Sequence, residues 1–239
     1  MSDTPVVSIC IPVYYSGPEV LRVLDELLAS IEEQDYPMID ICVSIQETSY
    51  EDAMTLCEVM TTRGILVALP KAEVDSPAKN TNHVMSLASN EGYIKIMNQD
   101  DFLDNPTAIS DMVDMLESSE AKWLVNSCIH TDAGGVSRYH IHNPFWPEEK
   151  GMVEGVNRFG CPSVAMFEAG ASMRCDPNML YAMDCDMWIQ LYREFGAPVI
   201  RMVPDVVIRM WAAQLSKQLN TAAILEREKI YMRAKYGHK

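Results

Sequence analysis

The sequence predicts a single α/β domain, with a doubly wound, mostly parallel central sheet flanked by helices and with a C-terminal helix. The composition, 48% hydrophobic and 22% charged residues in a chain of 239, is that of a soluble domain with one substantial core. Apolar, strand-like runs alternate with amphipathic helical patterns, as they do in doubly wound sheets. The first of those runs is nearly continuously apolar and β-branched, which is typical of a strand buried on both faces of a parallel sheet.

The first strand is predicted over residues 6–15, where the apolar run ends in a turn at Ser16-Gly17-Pro18. Pro18 suits the first position of a helix, and leucine and valine then recur at helical spacing, which predicts an amphipathic helix over residues 19–33. The alternation continues, with right-handed crossovers expected between parallel strands. The later predicted elements are strand 39–45, helix 51–62, strand 65–69, helix 79–89, strand 93–97, helix 106–117, strand 123–128, strand 163–167, helix 183–195 and a last helix of about residues 212–235.

Residues 129–160 interrupt this alternation. They contain Gly134-Gly135, several histidines and two prolines, without a clear period. A loop of this length is uncommon in a compact domain and is usually functional. No repeat, linker or low-complexity segment divides the chain, so we expect one domain over residues 1–239.

The charge is distributed unevenly along the chain. The whole chain carries −15, but residues 1–120 hold five bases and 22 acids, a net −17, whereas residues 121–239 carry +2. The acidic total argues against nucleic acid as a partner. No run approaches the roughly 18 apolar residues that span a bilayer, and no signal-peptide pattern opens the chain. The seven cysteines include no CxxC pair, so we expect a cytosolic protein with reduced, buried thiols.

Two adjacent acids, Asp100 and Asp101, follow the strand predicted over residues 93–97. Doubly wound sheets bind ligands at the carboxyl ends of their strands, so these acids stand where a ligand is expected. One or two carboxylates together with substrate phosphates are the usual ligands of Mg²⁺. In the alternative interpretation Asp101 or Asp104 only caps the next helix, and position alone leaves both open.

A second acidic pair, Asp184 and Asp186, opens the helix predicted over residues 183–195. Acids at the start of a helix commonly cap it. Residues at i and i+2 point to different sides, so at most one of the pair can face the site that Asp100 and Asp101 define. A carboxylate near a metal-bound phosphate ester can act as general base toward an attacking hydroxyl.

Four segments carry a resemblance to a known family. They are VSICIPVYY, ICVSIQETSYED, KNTNHVMSLASNEGYIKIMNQDDFLDNP and YAMDCDMWIQL. In order and spacing they resemble the family-2 inverting glycosyltransferases with a GT-A fold, over roughly residues 6–215. Four moderately specific segments in register on an α/β pattern identify the family better than any one of them.

The resemblance implies roles for particular residues. In that family the end of the first strand and the acidic loop after the second strand hold the nucleotide base, usually uracil. By position, Asp100 contacts the ribose, Asp101 together with Asp100 holds Mn²⁺ or Mg²⁺ on the diphosphate, and Asp184 deprotonates the acceptor. The residues placed at the base are Pro12, Val13, Tyr14, Gln46 and Glu47.

The sequence departs from the family pattern in the nucleotide half. Gln46 stands where the acidic loop usually begins with Asp, so base recognition shifts to Glu47 or to the main chain. The usual Arg-Asn pair aligns with Lys79-Asn80 or with Thr81-Asn82. The second register keeps the downstream spacing better but has no cation, and both Lys79 and Asn82 stay candidates for donor binding.

Two further departures from the family pattern concern the base and the metal ligands. Met183 replaces the Glu that usually precedes the base, and Trp211 stands where many members have a histidine that completes the metal shell. The metal would then be held by Asp101, the diphosphate and water. We therefore expect only weak affinity for the free metal ion.

The resemblance also divides the single domain. It implies a nucleotide-binding half of about residues 1–104, an acceptor-binding half of about 105–215 and a C-terminal helix over 216–239. Aromatic rings stack on sugars, so the acceptor candidates are His140, His142 and Trp146, with a surface loop carrying incidental rings as the equal alternative. The basic residues of the last helix, which can touch an anionic membrane or simply face solvent, are Lys217, Arg227, Lys229, Arg233, Lys235 and Lys239.

The expected function is metal-dependent, inverting transfer of a sugar from a nucleotide-diphosphate donor to a hydroxyl of a glycan or glycolipid. A UDP-sugar is the favoured donor, and a dTDP-sugar such as rhamnose stays open. The alternative is a catalytically weak or inactive relative that binds a nucleotide sugar or a partner, which the losses at Gln46, Met183 and Trp211 suggest. A nucleotidyltransferase ranks lower, because the loop over residues 14–18 has no Lys or Arg to cradle a triphosphate.

Overall fold

The computed structural model describes residues 4–46, 49–65, 67–68, 74–146, 148–211, 214, 217 and 221–237. Over these residues the strands are β1 Val7–Val13, β2 Ile39–Ile45, β3 Val67–Ala68, β4 Tyr93–Ile96, β5 Phe102–Leu103, β6 Trp123–Thr131, β7 Arg138–His142, β8 Ala165–Glu168 and β9 Val199–Arg209. The helices are α1 Glu19–Glu32, α2 Tyr50–Thr62, α3 Pro77–Met85, α4 Ala108–Glu117, α5 Glu149–Val153, α6 Met183–Phe195 and α7 Thr221–Tyr236. The predicted α/β class is confirmed.

The nine strands of the described chain form one mixed sheet in the order β3-β2-β1-β4-β8-β6-β9-β5, and β7 pairs with β6 beside this path. Strands β1, β2, β3 and β4 are mutually parallel, and β6 and β9 run in the same direction as they do. Only β5, β7 and β8 run the opposite way among these strands. The sheet is therefore mostly parallel, as the sequence predicts.

The first half of the sheet is built on β1, which lies between β2 and β4. Val7 is in register with Ile39 of β2 and with Tyr93 of β4. An internal strand buries both faces, which explains why β1 is almost continuously apolar. Helix α1 packs one apolar side into the same core through Val20, Val23, Leu24, Leu27, Leu28 and Ile31.

The second half of the sheet is built on β6. One edge of β6 pairs first with β8, over Trp123–Val125, and then with β7, over Cys128–Thr131, while β9 occupies the other edge. Because β8 runs against its neighbours, its first residue lies at the sheet edge where β4 and β6 end. The reversed direction of β8 therefore brings the residues that precede it to the edge where the parallel strands end.

An aromatic cluster fills the core behind the second half. Trp123 stacks on Trp188 of α6 with ring centroids 6.1 Å apart, and Phe159 meets both rings edge to face. Trp146 stacks on Tyr192 at 4.1 Å and touches the edge of Trp123. Helix α6 is thus held to the sheet by large apolar contacts along its length.

The predicted elements agree best with those of the structure where the chain is buried and its pattern is regular. Strand β2 and helix α6 have the predicted bounds, whereas α3 begins and ends earlier than predicted, because Ser76 caps it and Pro77 occupies its first turn. The prediction of a structureless loop over residues 129–160 is wrong, since that segment holds the end of β6, all of β7 and α5. Strands β5 and β9 were not predicted. Part of the last predicted helix lies outside the described residues.

No helix of the described chain combines the length and the apolarity that crossing a membrane requires.

Gly92 allows the close approach of backbone on which the β1–β4 pairing depends. Its φ is +84°, and an added Cβ would lie 2.1 Å from the carbonyl oxygen of Val6. Gly64, just after α2, has a similar φ of +72° but open space around it. We predict that Gly64→Ala lowers the free energy of unfolding by about 1 kcal/mol and that Gly92→Ala lowers it by at least about 2 kcal/mol more.

Chemical denaturation of the two glycine variants measures the difference directly. Because both substitutions carry the same left-handed penalty, the difference isolates the contact with Val6. Equal destabilisation of the two variants would contradict the proposed steric role of Gly92.

Candidate functional site

The candidate site lies at the edge of the sheet where the parallel strands end. There β1 is followed by Tyr14, β4 by residues 97–101 and β9 by Trp211. The residues just before β8, including Cys161 and Ser163, reach the same edge because β8 is antiparallel to its neighbours. Open α/β sheets bind their ligands at such an edge.

Asp101 is the buried centre of this edge, with 2% of its surface exposed. Its Oδ2 accepts hydrogen bonds from Ser163 Oγ at 2.6 Å, Asn98 Nδ2 at 3.1 Å and Cys161 Sγ at 3.4 Å. Burial, and after it the neighbouring charge of Asp100, raises the pKa of Asp101 to about 7. Near neutral pH the site therefore readily accepts a positive charge, as a proton or as a cation.

Asp100 is bound by Trp211. The indole Nε1 donates a hydrogen bond of 2.7 Å to Asp100 Oδ2. Burial raises the pKa of Asp100, and the Trp211 hydrogen bond and the nearby Arg209 charge act in the opposite direction. An indole N–H can only donate, so at the position where the resemblance places a histidine this chain has a partner for the carboxylate and not a metal ligand.

Asp184 lies in the first turn of α6, and no described residue pairs with its carboxylate. Burial raises its pKa to about 7. Cys161 connects Asp184 with the first acidic pair: its thiol donates to Asp101, and burial and then the charges of Asp101 and Asp184 raise the pKa of Cys161. The charge of Asp184 therefore acts on the thiol that is bonded to Asp101, and its carboxylate is able to take a proton.

Asp186 has a different environment. It is fully buried and accepts hydrogen bonds from Tyr236 OH at 2.5 Å and Gln190 Nε2 at 2.7 Å, and Lys235 Nζ lies 2.7 Å away. Asp186 thus ties α6 to α7. The two acids therefore have different surroundings, as expected for residues at i and i+2 of a helix.

The end of β1 is held by Gln99. Tyr14 N donates to Gln99 Oε1 at 2.6 Å, and Gln99 Nε2 donates to Tyr14 O at 3.0 Å. This pair of bonds imitates strand pairing and fixes β1 to the loop that carries the acids. Half of the Tyr14 surface is exposed, at 50%, while Pro12 is partly buried.

The side chain of Val13 is fully buried in the core, so at the site only its main chain is presented. Its carbonyl oxygen accepts hydrogen bonds from Gln46 N at 2.7 Å and Asn80 Nδ2 at 3.0 Å. Gln46 is partly buried beside it. Glu47, the other residue expected at the base, lies outside the described residues.

The two alignments of the Arg-Asn pair place their residues differently. Lys79 pairs with Asp75 at the surface, with Nζ and carboxylate 2.9 Å apart. Asn82 uses both ends of its amide on the backbone of Cys175, donating at 2.7 Å and accepting at 2.8 Å. Asn82 thereby connects α3 to the segment before α6, and Asn80 connects α3 to the end of β1.

The predicted acceptor residues fall into two environments. His140 and His142 lie on β7, where His140 is opposite His130 of β6, with ring centroids 5.3 Å apart. His142 bonds to the carbonyl oxygen of Arg158 through Nε2 at 2.9 Å. Trp146 is partly buried in the aromatic core, where the stacked ring of Tyr192 covers one of its faces.

Two buried cations support the acidic loop. Lys95 was not assigned to the site from the sequence, although a lysine within an apolar strand is a signal that could have identified it. It is fully buried, donates to Ser163 O at 2.7 Å, and has a pKa lowered by burial to about 8. For Arg209 the sequence leaves a phosphate contact and a structural ion pair equally open. Its guanidinium is paired with Glu26 and donates to Asp100 O at 3.2 Å.

The residues at this edge fit a cation only in part. No group of three or more His, Cys, Asp or Glu side chains within the described ranges is arranged to hold a metal ion. Asp100 and Asp101 are the oxygen donors present, and each already accepts a hydrogen bond. Two carboxylates suit a hard divalent cation that arrives with substrate phosphates, and they do not make a complete site for a free ion.

Comparison with known proteins was made at three levels. No family model matches the sequence, and no curated protein matches it. Solved structures do match. TarS 1–349 of S. aureus superposes with a TM-score of 0.62 at 12% identity, over 97% of this chain and 72% of that one. The same fragment in complex with UDP-GlcNAc gives a TM-score of 0.64 at 10% identity, over 93% of this chain and 66% of that one.

A third match comes from an archaeal enzyme. The mannosyltransferase PcManGT of Pyrobaculum calidifontis, in complex with GDP-Man and Mn²⁺, gives a TM-score of 0.65 at 16% identity. The match covers 100% of this chain and 66% of that one. The chain has a GT-A-like glycosyltransferase fold. At these identities the likeness concerns the fold alone, and it spans about two thirds of the mannosyltransferase.

The raised pKa of Asp184 predicts a pH-dependent effect of Asp184→Asn. Between about pH 4 and pH 7 the folded protein holds a proton here that the unfolded chain releases, so this contribution to stability is lost as the pH rises through that window. We expect Asp184→Asn to raise the free energy of unfolding by about 2 kcal/mol at pH 8, a Tm increase of roughly 4–8 °C, and by about half that amount or less at pH 5.

Thermal denaturation at the two pH values measures the effect of Asp184→Asn, and Asp114→Asn, at an exposed position of α4, is the matched control. The same Tm change at pH 5 and pH 8 would show that burial does not control Asp184.

The hydrogen bond from Trp211 predicts how the free protein binds metal. We expect wild-type protein to bind Mn²⁺ weakly in titration calorimetry without nucleotide, because it offers two carboxylates that already have partners. Trp211→His should bind Mn²⁺ more tightly, since an imidazole adds a third ligand. Trp211→Phe, which removes the N–H without adding a ligand, is the control. Tight Mn²⁺ binding by the wild type alone would contradict this account.

Proposed function

We propose that this protein is an inverting glycosyltransferase that moves a sugar from a nucleotide-diphosphate donor to a hydroxyl of a glycan or glycolipid acceptor. The donor is a UDP-sugar, or alternatively a dTDP-sugar. Three solved structures with the same fold support the class, and two of them hold nucleotide sugars, UDP-GlcNAc and GDP-Man. The family-2 assignment and the single-displacement mechanism are part of the proposal.

One observation carries the proposal: the acidic pair and the carboxylate of Asp184 both act on the thiol of Cys161. That thiol donates a hydrogen bond to Asp101, and after burial the charges of Asp101 and Asp184 are among the causes that raise its pKa. Inverting transfer needs a group that receives the diphosphate of the donor and, opposite it, a base for the acceptor. In the proposal the acidic pair receives the diphosphate and Asp184 acts as the base.

Asp184 performs the proton transfer in this scheme. Its carboxylate has no competing partner among the described residues, so it is available to the acceptor hydroxyl. Its pKa of about 7 matches the operating pH, at which the best general bases are half protonated. As the hydroxyl oxygen forms its bond to the anomeric carbon, its proton passes to the Asp184 carboxylate and the nucleotide diphosphate leaves from the opposite face. One displacement inverts the anomeric centre.

Asp100 and Asp101 would hold Mn²⁺ or Mg²⁺, which would supply positive charge to neutralise the leaving diphosphate. The charge of the chain supports this requirement, because the half that holds these residues carries −17. A polyanionic donor approaches such a surface favourably only when a cation accompanies it. The base of the donor would lie over the end of β1, at Pro12, the main chain of Val13 and Tyr14, with Gln46, Lys79 and Asn82 near it.

The acceptor would lie beside β7, where His140 and His142 are presented, and near Trp146. Contact with a membrane has less support. Lys229 pairs with Glu226, Arg233 with Glu154, and Lys235 with Asp176 and Asp186, so within the described part of α7 these bases are already neutralised by the chain itself. We place the reaction in the cytoplasm, with any membrane contact made through the acceptor.

A second candidate function is binding of a nucleotide sugar without turnover. The hydrogen bond of Trp211 favours it, because this bond occupies an oxygen of Asp100 that a catalytic cation would use. Release of nucleotide diphosphate from the donor distinguishes the two functions. A transferase with Mn²⁺ slowly releases free nucleotide diphosphate from its donor by hydrolysis, whereas a binding protein releases none.

The donor is identified by a thermal-shift panel of UDP-, GDP- and dTDP-sugars, each with and without Mn²⁺. A ligand that binds only the folded state raises Tm, so the true donor is the one that raises it in the presence of Mn²⁺. Equal shifts from all donors without metal would argue against the proposed site.

Two substitutions separate donor binding from chemistry. Asp184→Asn should abolish transfer, by at least about a hundredfold, and keep the donor-dependent rise in Tm, because a base acts on the acceptor. Asp101→Asn should abolish transfer and also lose the Mn²⁺-dependent rise. Asp114→Asn is the control. Full transfer activity in both site variants would refute the assignment of the site.

A further inference from the structure

A carboxylate on α7 is bound at the start of the helix that carries Asp184. Glu228 is 1% exposed although it is charged. Its Oε1 accepts a hydrogen bond from Leu180 N at 2.7 Å, and its Oε2 accepts from Tyr181 N at 3.0 Å and Ala182 N at 2.8 Å. Three consecutive main-chain N–H groups therefore converge on one side chain.

Helix α6 begins without a side-chain cap of its own. Its N-cap residue is Ala182, which has no side-chain acceptor. Glu228, 46 residues further along the chain, accepts from the N–H of Ala182 and from the N–H groups of the two residues before it, so it fixes the main chain that leads into the helix. Its negative charge lies near the positive end of the helix dipole, where a charge of this sign is favourable.

Other contacts hold α7 against the same segment. Asp176 accepts hydrogen bonds from Tyr231 OH and Lys235 Nζ, both at 2.9 Å. Tyr236 and Lys235 bind the buried Asp186 of α6. These contacts involve side chains at the two ends of the segment, whereas Glu228 binds the main chain directly before the turn that presents Asp184.

We propose that Glu228 is a positioning residue for Asp184: it fixes the main chain at the start of α6 and so fixes the place of the Asp184 carboxylate in the first turn of that helix. This inference rests on the proposed function, in which Asp184 is the general base. Glu228 acts through residues 180–182 and contacts neither donor nor acceptor.

The groups around Asp184 show what a loosened turn would change. The thiols that its charge affects are Cys161 before β8, Cys175 before α6 and Cys185 on α6 itself. Asp186, the other acid of this turn, is paired with Lys235 of α7. No described cation pairs with Asp184, so a loosened turn removes its burial and breaks no ion pair.

Loss of Glu228 should lower the pKa of Asp184 for two reasons that act in the same direction. Hydration of the carboxylate favours its charged form. An unopposed helix N-terminus favours the negative charge as well. A base with a lower pKa accepts a proton less readily, so the maximal rate falls while the acid limb of the pH–rate profile moves to lower pH.

The test compares Glu228→Ala and Glu228→Gln with Glu226→Ala. Glu226 is an exposed acid on the same helix, paired with Lys229 one turn away. We expect Glu228→Ala to lower kcat at least about tenfold with a donor KM within about threefold of wild type. Glu228→Gln, which keeps one acceptor oxygen, should lie between, and Glu226→Ala should match the wild type. An equal loss in Glu226→Ala, or a loss confined to KM, would overturn the inference.

A second measurement does not require activity. The side-chain carboxyl of Asp184 is titrated by ¹³C NMR in aspartate-labelled protein, with Asp184→Asn to assign the signal. The titration should move to lower pH in both Glu228 variants, and an unchanged midpoint overturns the inference. If the wild type transfers no sugar, the proposed function fails while the titration still decides the role of Glu228. If Glu228→Ala does not fold, Glu228→Gln provides both readouts.

Discussion

The burial of Asp101 is the constraint around which the functional edge is arranged. A carboxylate this far from water requires hydrogen-bond donors, and it receives them from separate parts of the chain: Asn98 after β4 and Ser163 before β8. These segments meet only because β8 runs against its neighbours, which brings its beginning to the edge where the other strands end. The mixed sheet is therefore a requirement of the site. Lys95 beneath Ser163 extends the same network into the core.

The candidate site contains several carboxyl groups, whereas the buried cations beside it are used in structural contacts. Arg209 is buried and committed to Glu26 and to the carbonyl oxygens of residues 100 and 133. Lys95 is committed to a main-chain oxygen. Three carboxyl groups, Asp100, Asp101 and Asp184, thus remain with pKa values raised by burial. Such an arrangement favours the binding of positive charge. A proton satisfies it in the free protein, and in the proposed function a cation that arrives with the donor would do so.

Sequence patterns predicted the fold where local chemistry and burial agree. Continuous apolar runs, helical spacing and the proline after β1 predicted the parallel half and α6. Strand β9 was not predicted because Arg201, Pro204 and Asp205 interrupt its apolar pattern. The acids of the candidate site follow strands and are visible in the sequence, but their partners are not. The bonds from Trp211 to Asp100 and from Glu228 to residues 180–182 join positions 111 and about 46 apart. Positions so far apart in the sequence follow no spacing rule, because they are brought together only by tertiary packing.

The dependence of α6 on α7 has a consequence for the order in which the molecule matures. A chain leaves the ribosome from its amino end, so residues 180–182 emerge well before Glu228, which follows 46 residues later. A nascent chain can thus assemble the parallel strands and their acidic edge while the turn that presents Asp184 still lacks its acceptor. The main chain before α6 gains this acceptor only after synthesis has passed Glu228, so the acidic edge of the sheet can form before the position of Asp184 is fixed.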